Sequence, residues 1–290
     1  MFEQQIINIF QVMKQKQLIF CMGLSAIALL SSCNEREFDV KPSDGQDNAE
    51  MGKLVLDLTA DASFSEQTRA LNESDYTNTA NYTVQLLKGG EVEKECLYSQ
   101  IEDVFPKELE PGDYTIKAFF GSDVAYSRNE FRVEGYSDFN VGKGTESRVS
   151  VNCYPTCGKL TVVFDESMPT YYDAYNVSYS GATAFSGGSV AWGKNDVDPL
   201  YVRVAEDGEE LTYTIRVTAR EEYAHVDADG NKQTSGQVTG TFTLSRNHGH
   251  KLTVKPNYIP TAEGGLSIEV TIDDTVNEHK ETIVVPVNWL

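Results

Sequence analysis

Residues 52–58 read Gly52-Lys53-Leu54-Val55-Leu56-Asp57-Leu58. Leucine occupies every second position from Leu54 onward, and successive side chains of a β-strand point to opposite faces of the sheet. The three leucines therefore predict a half-buried strand with one apolar face. Because the same period of two recurs in most later segments, this run indicates the fold class of the whole chain, which is all-β.

The rest of the first half continues in the same rhythm. Tyr82, Val84 and Leu86 form one alternating run, and Gly89-Gly90 separates it from another that begins at Val92. This arrangement is typical of a β-hairpin. Further runs of this kind are Tyr114–Phe120, which follows the Pro111-Gly112 turn, then Phe131–Val133, Phe139–Val141 and Val149–Val151. About seven strands result, and they predict a β-sandwich over residues 51–153.

The second half repeats the pattern, and no long stretch beyond Cys33 has an apolar stripe at helical spacing. Its alternating runs are Leu160–Phe164, Val177–Tyr179, Tyr201–Val204, Leu211–Val217, Val238–Leu244, Leu252–Val254, Leu266–Ile272 and Ile283–Val287. We therefore predict two tandem antiparallel β-sandwich domains of the Ig-like or transthyretin-like kind. They span residues 51–153 and 157–290 and follow a signal peptide and a flexible leash.

The N-terminal segment has the features of a secretory signal peptide, residues 1–32. Two lysines, Lys14 and Lys16, precede the apolar run Leu18–Leu30, which has 13 residues, whereas about 20 are needed to span a bilayer. The next residues, Leu30-Ser31-Ser32-Cys33, resemble a bacterial lipobox, which implies cleavage before Cys33 and acylation of its thiol. Met13 also fits the start of such a signal better than Met1.

Residues 33–50 are polar and acidic, and we expect them to form a flexible leash between the lipid and the body. The predicted partner of the N-terminus is thus a membrane, reached through the acyl chains on Cys33. The predicted location is the outer membrane, facing the cell exterior. The whole chain carries a net charge of −20, which makes nucleic acid an unsuitable partner.

The order of motifs resembles the fimbrillin-like surface lipoproteins and adhesins related to the type V pilins of anaerobic Gram-negative bacteria. The motifs are the lipobox and acidic leash, Gly52–Leu58, Thr68-Arg69-Ala70, Leu109-Glu110-Pro111-Gly112-Asp113-Tyr114-Thr115, Val149-Ser150-Val151-Asn152-Cys153 and the terminal Ile283-Val284-Val285-Pro286-Val287-Asn288-Trp289. This resemblance implies proteolysis between Arg69 and Ala70, removal of strand Lys53–Thr59, and strand exchange with pilin-like subunits. The alternative is that Arg69 is a solvated loop residue of an uncut monomer. Pro286 favours that alternative, since a proline limits the last strand to an edge or end position.

We expect no catalytic, cofactor-binding or metal-binding residues and no enzymatic activity. The histidines at His248 and His250 could hold a metal on a loop, but they are more typical of a strand end facing solvent. The run Asp227-Ala228-Asp229-Gly230-Asn231 imitates half of a calcium loop, yet the distant glutamate of such a loop is missing. A hairpin turn is the better interpretation.

Three cysteines lie beyond the leash: Cys96, Cys153 and Cys157. A disulfide between Cys153 and Cys157 is chemically permitted outside the cytoplasm, although the intervening Tyr-Pro-Thr would make its loop tight. The alternative, which we favour for Cys96 and extend to the other two, is that these thiols are small apolar fillers of the core.

Two functions follow from these features. The first is a lipid-anchored, surface-exposed adhesin or fimbrial structural protein without catalytic activity. The second is a surface lipoprotein that binds host or other glycans through stacked aromatic rings. The predicted glycan platform consists of Tyr171, Tyr172, Tyr175, Tyr179 and Trp192. Exposure of two or more of these rings would favour the second function, and burial would favour the first.

Overall fold

The architecture is built from β-strands, in a computed structural model that describes residues 50–64, 71–196, 198–260, 265–274 and 279–290. The strands within these ranges are β1 (Gly52–Ala60), β2 (Thr83–Lys88), β3 (Glu91–Leu97), β4 (Glu108–Leu109), β5 (Gly112–Gly121), β6 (Tyr126–Ser127), β7 (Arg132–Val141), β8 (Glu146–Pro155), β9 (Cys157–Phe164), β10 (Tyr172–Ser180), β11 (Ser189–Gly193), β12 (Leu200–Arg203), β13 (Glu209–Ala219), β14 (His225–Val226), β15 (Lys232–Gln233), β16 (Ser235–Leu244), β17 (Gly249–Tyr258), β18 (Leu266–Asp274), β19 (His279–Pro286) and β20 (Asn288–Trp289).

Helices in the described ranges are short. Two α-helices have four residues each, α1 (Ile101–Val104) and α2 (Met168–Tyr171). The 3₁₀ turns are Glu73–Thr77, Thr79–Asn81, Tyr98–Gln100, Thr183–Phe185 and Glu221–Tyr223. The predicted all-β sandwich fold is confirmed. The physical reason for this fold is that the sequence alternates apolar and polar residues at period two and leaves no stripe along which a longer helix could pack.

The strands of the first half form a sheet in the order β3-β2-β5-β7-β8-β1-β4. Strand β8 belongs to both layers of this sandwich, because residues 146–153 pair with β1 while Tyr154 and Pro155 pair with β7. The core between the layers contains Leu58, Val84, Ile116, Val133, Val151 and other buried apolar side chains. Every second residue of β8, from Val149 to Pro155, faces that core.

The second half contributes a five-stranded sheet, β11-β10-β13-β16-β20, and a six-stranded sheet, β19-β18-β17-β9-β12-β6. Side chains of both sheets meet in a second core, which includes Leu160, Val177, Tyr213, Leu252 and Ile268. Strand β19 is the edge of its sheet and ends at Pro286. The edge or end position predicted for that proline is therefore observed, since a proline has no N–H to donate to a further strand.

Two strand pairs correct the prediction that the sandwiches are purely antiparallel. Strand β1 pairs with β8 in parallel from Lys53↔Glu146 to Ala60↔Cys153, and β9 pairs with β17 in parallel. Strand β1 thus lies beside the last long strand of the first half, and β9, the first long strand of the second half, lies beside β17. Such a pairing joins segments about ninety residues apart, so local alternation could not reveal its direction.

The boundary between the two predicted domains is crossed by contacts. Strand β6, which precedes the boundary, pairs with β12 of the second half. Tyr201, which lies in β12, packs in the core of the first half. The division into residues 51–153 and 157–290 stays a prediction.

Candidate functional site

The first strand and the segment that follows it lie immediately before the residues at which the sequence predicts proteolysis. Strand β1 is bound to β8 along eight register pairs, Lys53 to Ala60. On its other side it pairs, among the described residues, with the two residues of β4. Of its three leucines, Leu58 is fully buried, while Leu54 and Leu56 are half-buried against the first core. Strand β1 is therefore held mainly by backbone pairing to one neighbour.

The segment after β1 turns into the core and ends on a buried ring. Asp61 N donates to Cys153 O at 3.0 Å, and Ala62 and Phe64 are each 1 % exposed. The Phe64 ring meets Phe131 edge-on at a centroid distance of 5.3 Å and lies 5.5 Å from the Tyr201 ring. Burial of a phenylalanine contributes about 1.5 to 3 kcal/mol, so Phe64 anchors the chain immediately before residue 65.

A buried ion pair anchors the chain on the other side of residues 65–70. Lys159 Nζ lies 2.7 Å from Glu73 Oε1, and the two side chains are 2 % and 10 % exposed. Tyr201 Oη donates to the same carboxylate oxygen at 2.6 Å. The ammonium also lies 5.8 Å from the centroid of the Phe64 ring. Phe64 and Glu73 thus share Lys159 and Tyr201, which connects the two flanks of residues 65–70.

Three residues with predicted roles lie outside the described residues: Cys33, Arg69 and Ala70. The described residues that precede Arg69 show what cleavage there would remove. Cleavage between Arg69 and Ala70 would remove Leu58, Ala62 and Phe64 together, so the lost core would be larger than the face of β1 alone. An incoming strand would have to replace all of these contacts.

The predicted glycan platform is wrong. Tyr172, Tyr179 and Trp192 are at most 1 % exposed, and they pack in the second core. Tyr171 and Tyr175 are half-buried against the same core. The physical reason is that the face of β10 that carries Tyr172, Val177 and Tyr179 lies against the opposite sheet, so these rings supply apolar area to the core. By the stated criterion, burial favours the structural function.

The predicted disulfide is also wrong, and the apolar-filler interpretation holds for the described cysteines. Cys96, Cys153 and Cys157 are unpaired. Cys153 and Cys157 belong to consecutive strands, and an extended run of four residues spans roughly 13 Å, beyond the ~7 Å between Cα atoms that a disulfide tolerates. Burial raises the pKa of the Cys153 thiol to about 12 and raises that of Cys157 as well. Both thiols are therefore protonated and unreactive.

The two histidines of the metal hypothesis do not face a common site. His250 is buried, and its ring stacks on Phe242 at a centroid distance of 3.4 Å. Within the part of the chain that the structure describes, no three His, Cys, Asp or Glu side chains could hold a metal ion together. Residues 227–231 form the hairpin turn between β14 and β15, in which Asp227 Oδ1 accepts from the N–H groups of Asp229 and Asn231.

Burial of His250 makes stability depend on pH. Burial lowers the pKa of this histidine from 6.5 to about 3. Below pH 6.5 the unfolded chain binds a proton at His250 that the folded chain does not bind. The stability contributed by the buried, neutral His250 is therefore fully present above pH 6.5 and is lost as the pH falls toward 3. Between pH 6.5 and about 4.5 we expect a loss of about 2 kcal/mol from this residue.

The measurement is urea unfolding of the wild type and of His250→Leu at several pH values. Carboxylates contribute equally to both proteins, so their difference in unfolding free energy isolates His250. The wild type should lose stability relative to His250→Leu steadily as the pH falls below 6.5. A difference that does not change with pH would contradict a buried neutral imidazole.

Sequence reasoning missed two exposed tyrosines, Tyr136 on β7 and Tyr154 on β8. The alternation itself could have found Tyr154, because Val149, Val151 and Cys153 face inward and so place residue 154 outward. In the described residues, no helix is long and apolar enough to cross a membrane.

Comparison with known families gives one match that covers most of the chain. The family described as "Domain of unknown function (DUF4493)" matches residues 50–287. None of the curated proteins matches the sequence.

Among solved structures, the chain is similar to fimbrial and adhesin proteins, the group that its motifs resemble. A fimbrial assembly protein from Parabacteroides distasonis aligns at 10% identity and a TM-score of 0.41, over 81% of this chain and 99% of that one. A provisionally assigned adhesin from Bacteroides ovatus aligns at 11% identity and a TM-score of 0.41, over 80% of this chain and 95% of that one. The fimbrial anchor protein Mfa2 from Porphyromonas gingivalis aligns at 12% identity and a TM-score of 0.36, over 77% of this chain and 97% of that one. Similarity at these values supports no inference about function, for which the chain's own residues are needed.

Proposed function

The chain belongs to the DUF4493 family, and from this starting point we propose that it is a non-catalytic adhesin or pilus-related subunit, anchored by lipid to the outer membrane and facing the cell exterior. Its lipid is carried by Cys33. In this proposal the body keeps β1 and therefore keeps its connection to the lipid. Exchange of strands with pilin-like subunits is the competing outcome.

The observation that carries the proposal is the attachment of β1. The leash of residues 33–50 leads toward Gly52, the first residue of β1, and β1 is paired with β8 from Lys53 to Ala60. A side chain at position 52 would collide with Val141, so the entry point accepts only glycine. The eight register pairs of β1 connect the proposed leash to the body, as a tether that holds a body to a membrane requires.

The anchors on either side of residues 65–70 support a retained strand. Loss of β1 by proteolysis would also remove the buried Phe64 ring, which leaves a hole beside Tyr201 and Phe131. Cavities of this kind are costly, at about 24 cal/mol per Å³. An uncut chain avoids this cost, and its N-terminus stays at the lipidated cysteine.

The test is intact-mass and N-terminal analysis of the protein recovered from its native envelope. We expect an N-terminus at acylated Cys33, with release of the protein into the soluble fraction in the Cys33→Ser variant. An N-terminus at Ala70, with residues 53–59 missing, would contradict a retained strand and would indicate strand exchange. The Arg69→Ala variant serves as the control, because it blocks cleavage by a trypsin-like protease and leaves acylation intact.

A further inference from the structure

A surface groove of about 460 Å³ lies beside the two exposed tyrosines. Its walls come from β7, β8 and the turn between β16 and β17, including Glu134, Tyr136, Asn152, Tyr154 and Arg246. From this groove we infer that the protein binds a neutral carbohydrate, with Tyr136 and Tyr154 as the stacking rings. The inference deepens the proposed adhesin role, on which it rests, by naming the class of ligand.

The rings of Tyr136 and Tyr154 are exposed to solvent and available to contact a ligand. Tyr136 is 68 % exposed and Tyr154 is 49 % exposed, whereas most tyrosines of this chain pack against one of the two cores. Tyr154 pairs with Glu134, and Tyr136 lies two residues beyond Glu134, so both rings face the same side of the sheet. Amphipathic rings of this kind offer an apolar face to the C–H groups of a sugar and a hydroxyl to its polar edge.

Polar groups of the groove are oriented by contacts of their own. Thr59 Oγ1 donates to Asn152 Oδ1 at 2.6 Å, which turns the Asn152 amide donors away from β1. Arg246 Nε donates to Val204 O at 3.0 Å, which fixes the plane of its guanidinium. A few oriented donors beside apolar surface are the usual composition of a small-molecule site, and sugar hydroxyls can pair with them.

The charges at the groove favour a neutral ligand. Glu134 accepts from Arg132 Nε at 2.9 Å, and Glu206 lies 3.6 Å from Arg246 Nη1, so each carboxylate has an arginine beside it. Lys117 Nζ also lies 3.7 Å from Glu134 Oε2, so both carboxylates are neutralised by cations, while the chain as a whole carries −20 and repels anions. Sulfated or uronic-acid glycans are therefore disfavoured.

The experiment is affinity electrophoresis of the mature chain, residues 33–290 with Cys33→Ser, in native gels. The gels contain galactomannan, xyloglucan, mannan or dextran, with an anionic pectin gel for comparison. We expect at least one neutral polysaccharide to retard the wild type. Tyr136→Ala and Tyr154→Ala should each weaken the apparent affinity about tenfold, and the double variant should migrate as in a gel without polysaccharide.

The matched control is Tyr126→Ala, which removes a 45 % exposed tyrosine outside the groove and should leave the retardation unchanged. Absence of retardation in every neutral gel, a preference for pectin, or retardation that survives in the double variant would each overturn the inference. Binding is measured on unlipidated protein, so its failure leaves the anchoring test at Cys33 unaffected. Failure of the anchoring test likewise leaves the affinity of the groove unaffected.

Discussion

Replacement of Phe64 by alanine is expected to lower the free energy of unfolding by about 3 to 5 kcal/mol. The ring is 1 % exposed and contacts Phe131 and Tyr201. Phe131 is itself stacked on Tyr76 at 3.9 Å and on Tyr201 at 4.7 Å, so this aromatic cluster is braced and cannot collapse into the space left behind. The cost should therefore include the cavity as well as the lost transfer energy.

Chemical denaturation at 25 °C measures this loss. Tyr136→Ala is the control, because it removes a ring of similar size from an exposed position and should change stability by no more than about 0.5 kcal/mol. Equal effects of the two substitutions would contradict the anchoring role of Phe64. The Phe64→Ala variant should also be cut faster by trypsin in the adjacent residues, since opening of this region becomes less costly.

The second large effect is expected from Glu73. Replacement of Glu73 by methionine takes the Glu73 carboxylate away from the Lys159 ammonium, which is buried at 2 % exposure, and it removes a charged acceptor of Tyr201 Oη. Loss of one partner of a buried ion pair costs about 3 to 5 kcal/mol. The double variant Glu73→Met, Lys159→Met should recover much of this loss, because it leaves no buried charge.

The chain contains a matched control for this prediction. Lys232 Nζ and Glu221 Oε1 are also 2.7 Å apart, but their side chains are 56 % and 70 % exposed. Breaking that pair should cost at most about 1 kcal/mol, since solvent screens it. If Glu73→Met and Glu221→Met destabilised the protein equally, burial would not be what gives the Lys159 pair its strength.

Together these two positions bear on how β1 is held to the body. Phe64 and Glu73 lie on either side of residues 65–70 and meet the same two side chains, Lys159 and Tyr201. Weakening either one should loosen the attachment of β1 to the body. Proteolysis at Arg69 and strand exchange would then become easier. The variants therefore also test whether the native chain retains β1 or loses it by cleavage.

Much of the fold was predictable from local pattern. Alternation at period two located β1, the β2–β3 hairpin and β5, because each strand exposes one face to a core and the other to solvent. The Asp227 turn followed from the residues that such a turn requires. These features depend on residues that are close in sequence.

The candidate site was predictable only in part. Alternation showed that Tyr175 and Tyr179 share a face, but it could not show whether that face meets solvent or the opposite sheet, since tyrosine suits both. The second layer buries Tyr179 and leaves Tyr154 exposed. The pair of Glu73 with Lys159 was likewise invisible, because 86 residues separate its members.

The sequence by itself determined the all-β class and the inward faces of its clearest strands, and it predicts a lipobox, a leash and a surface anchor. The tertiary structure alone decided that β1 lies parallel to β8, that Phe64 and Glu73 share one anchor, and that Tyr136 and Tyr154 open onto a groove. The reason is physical. The periodicity of a strand depends on residues that are neighbours in sequence. Burial, charge pairing and strand direction arise only when distant segments pack together and exclude water from one another.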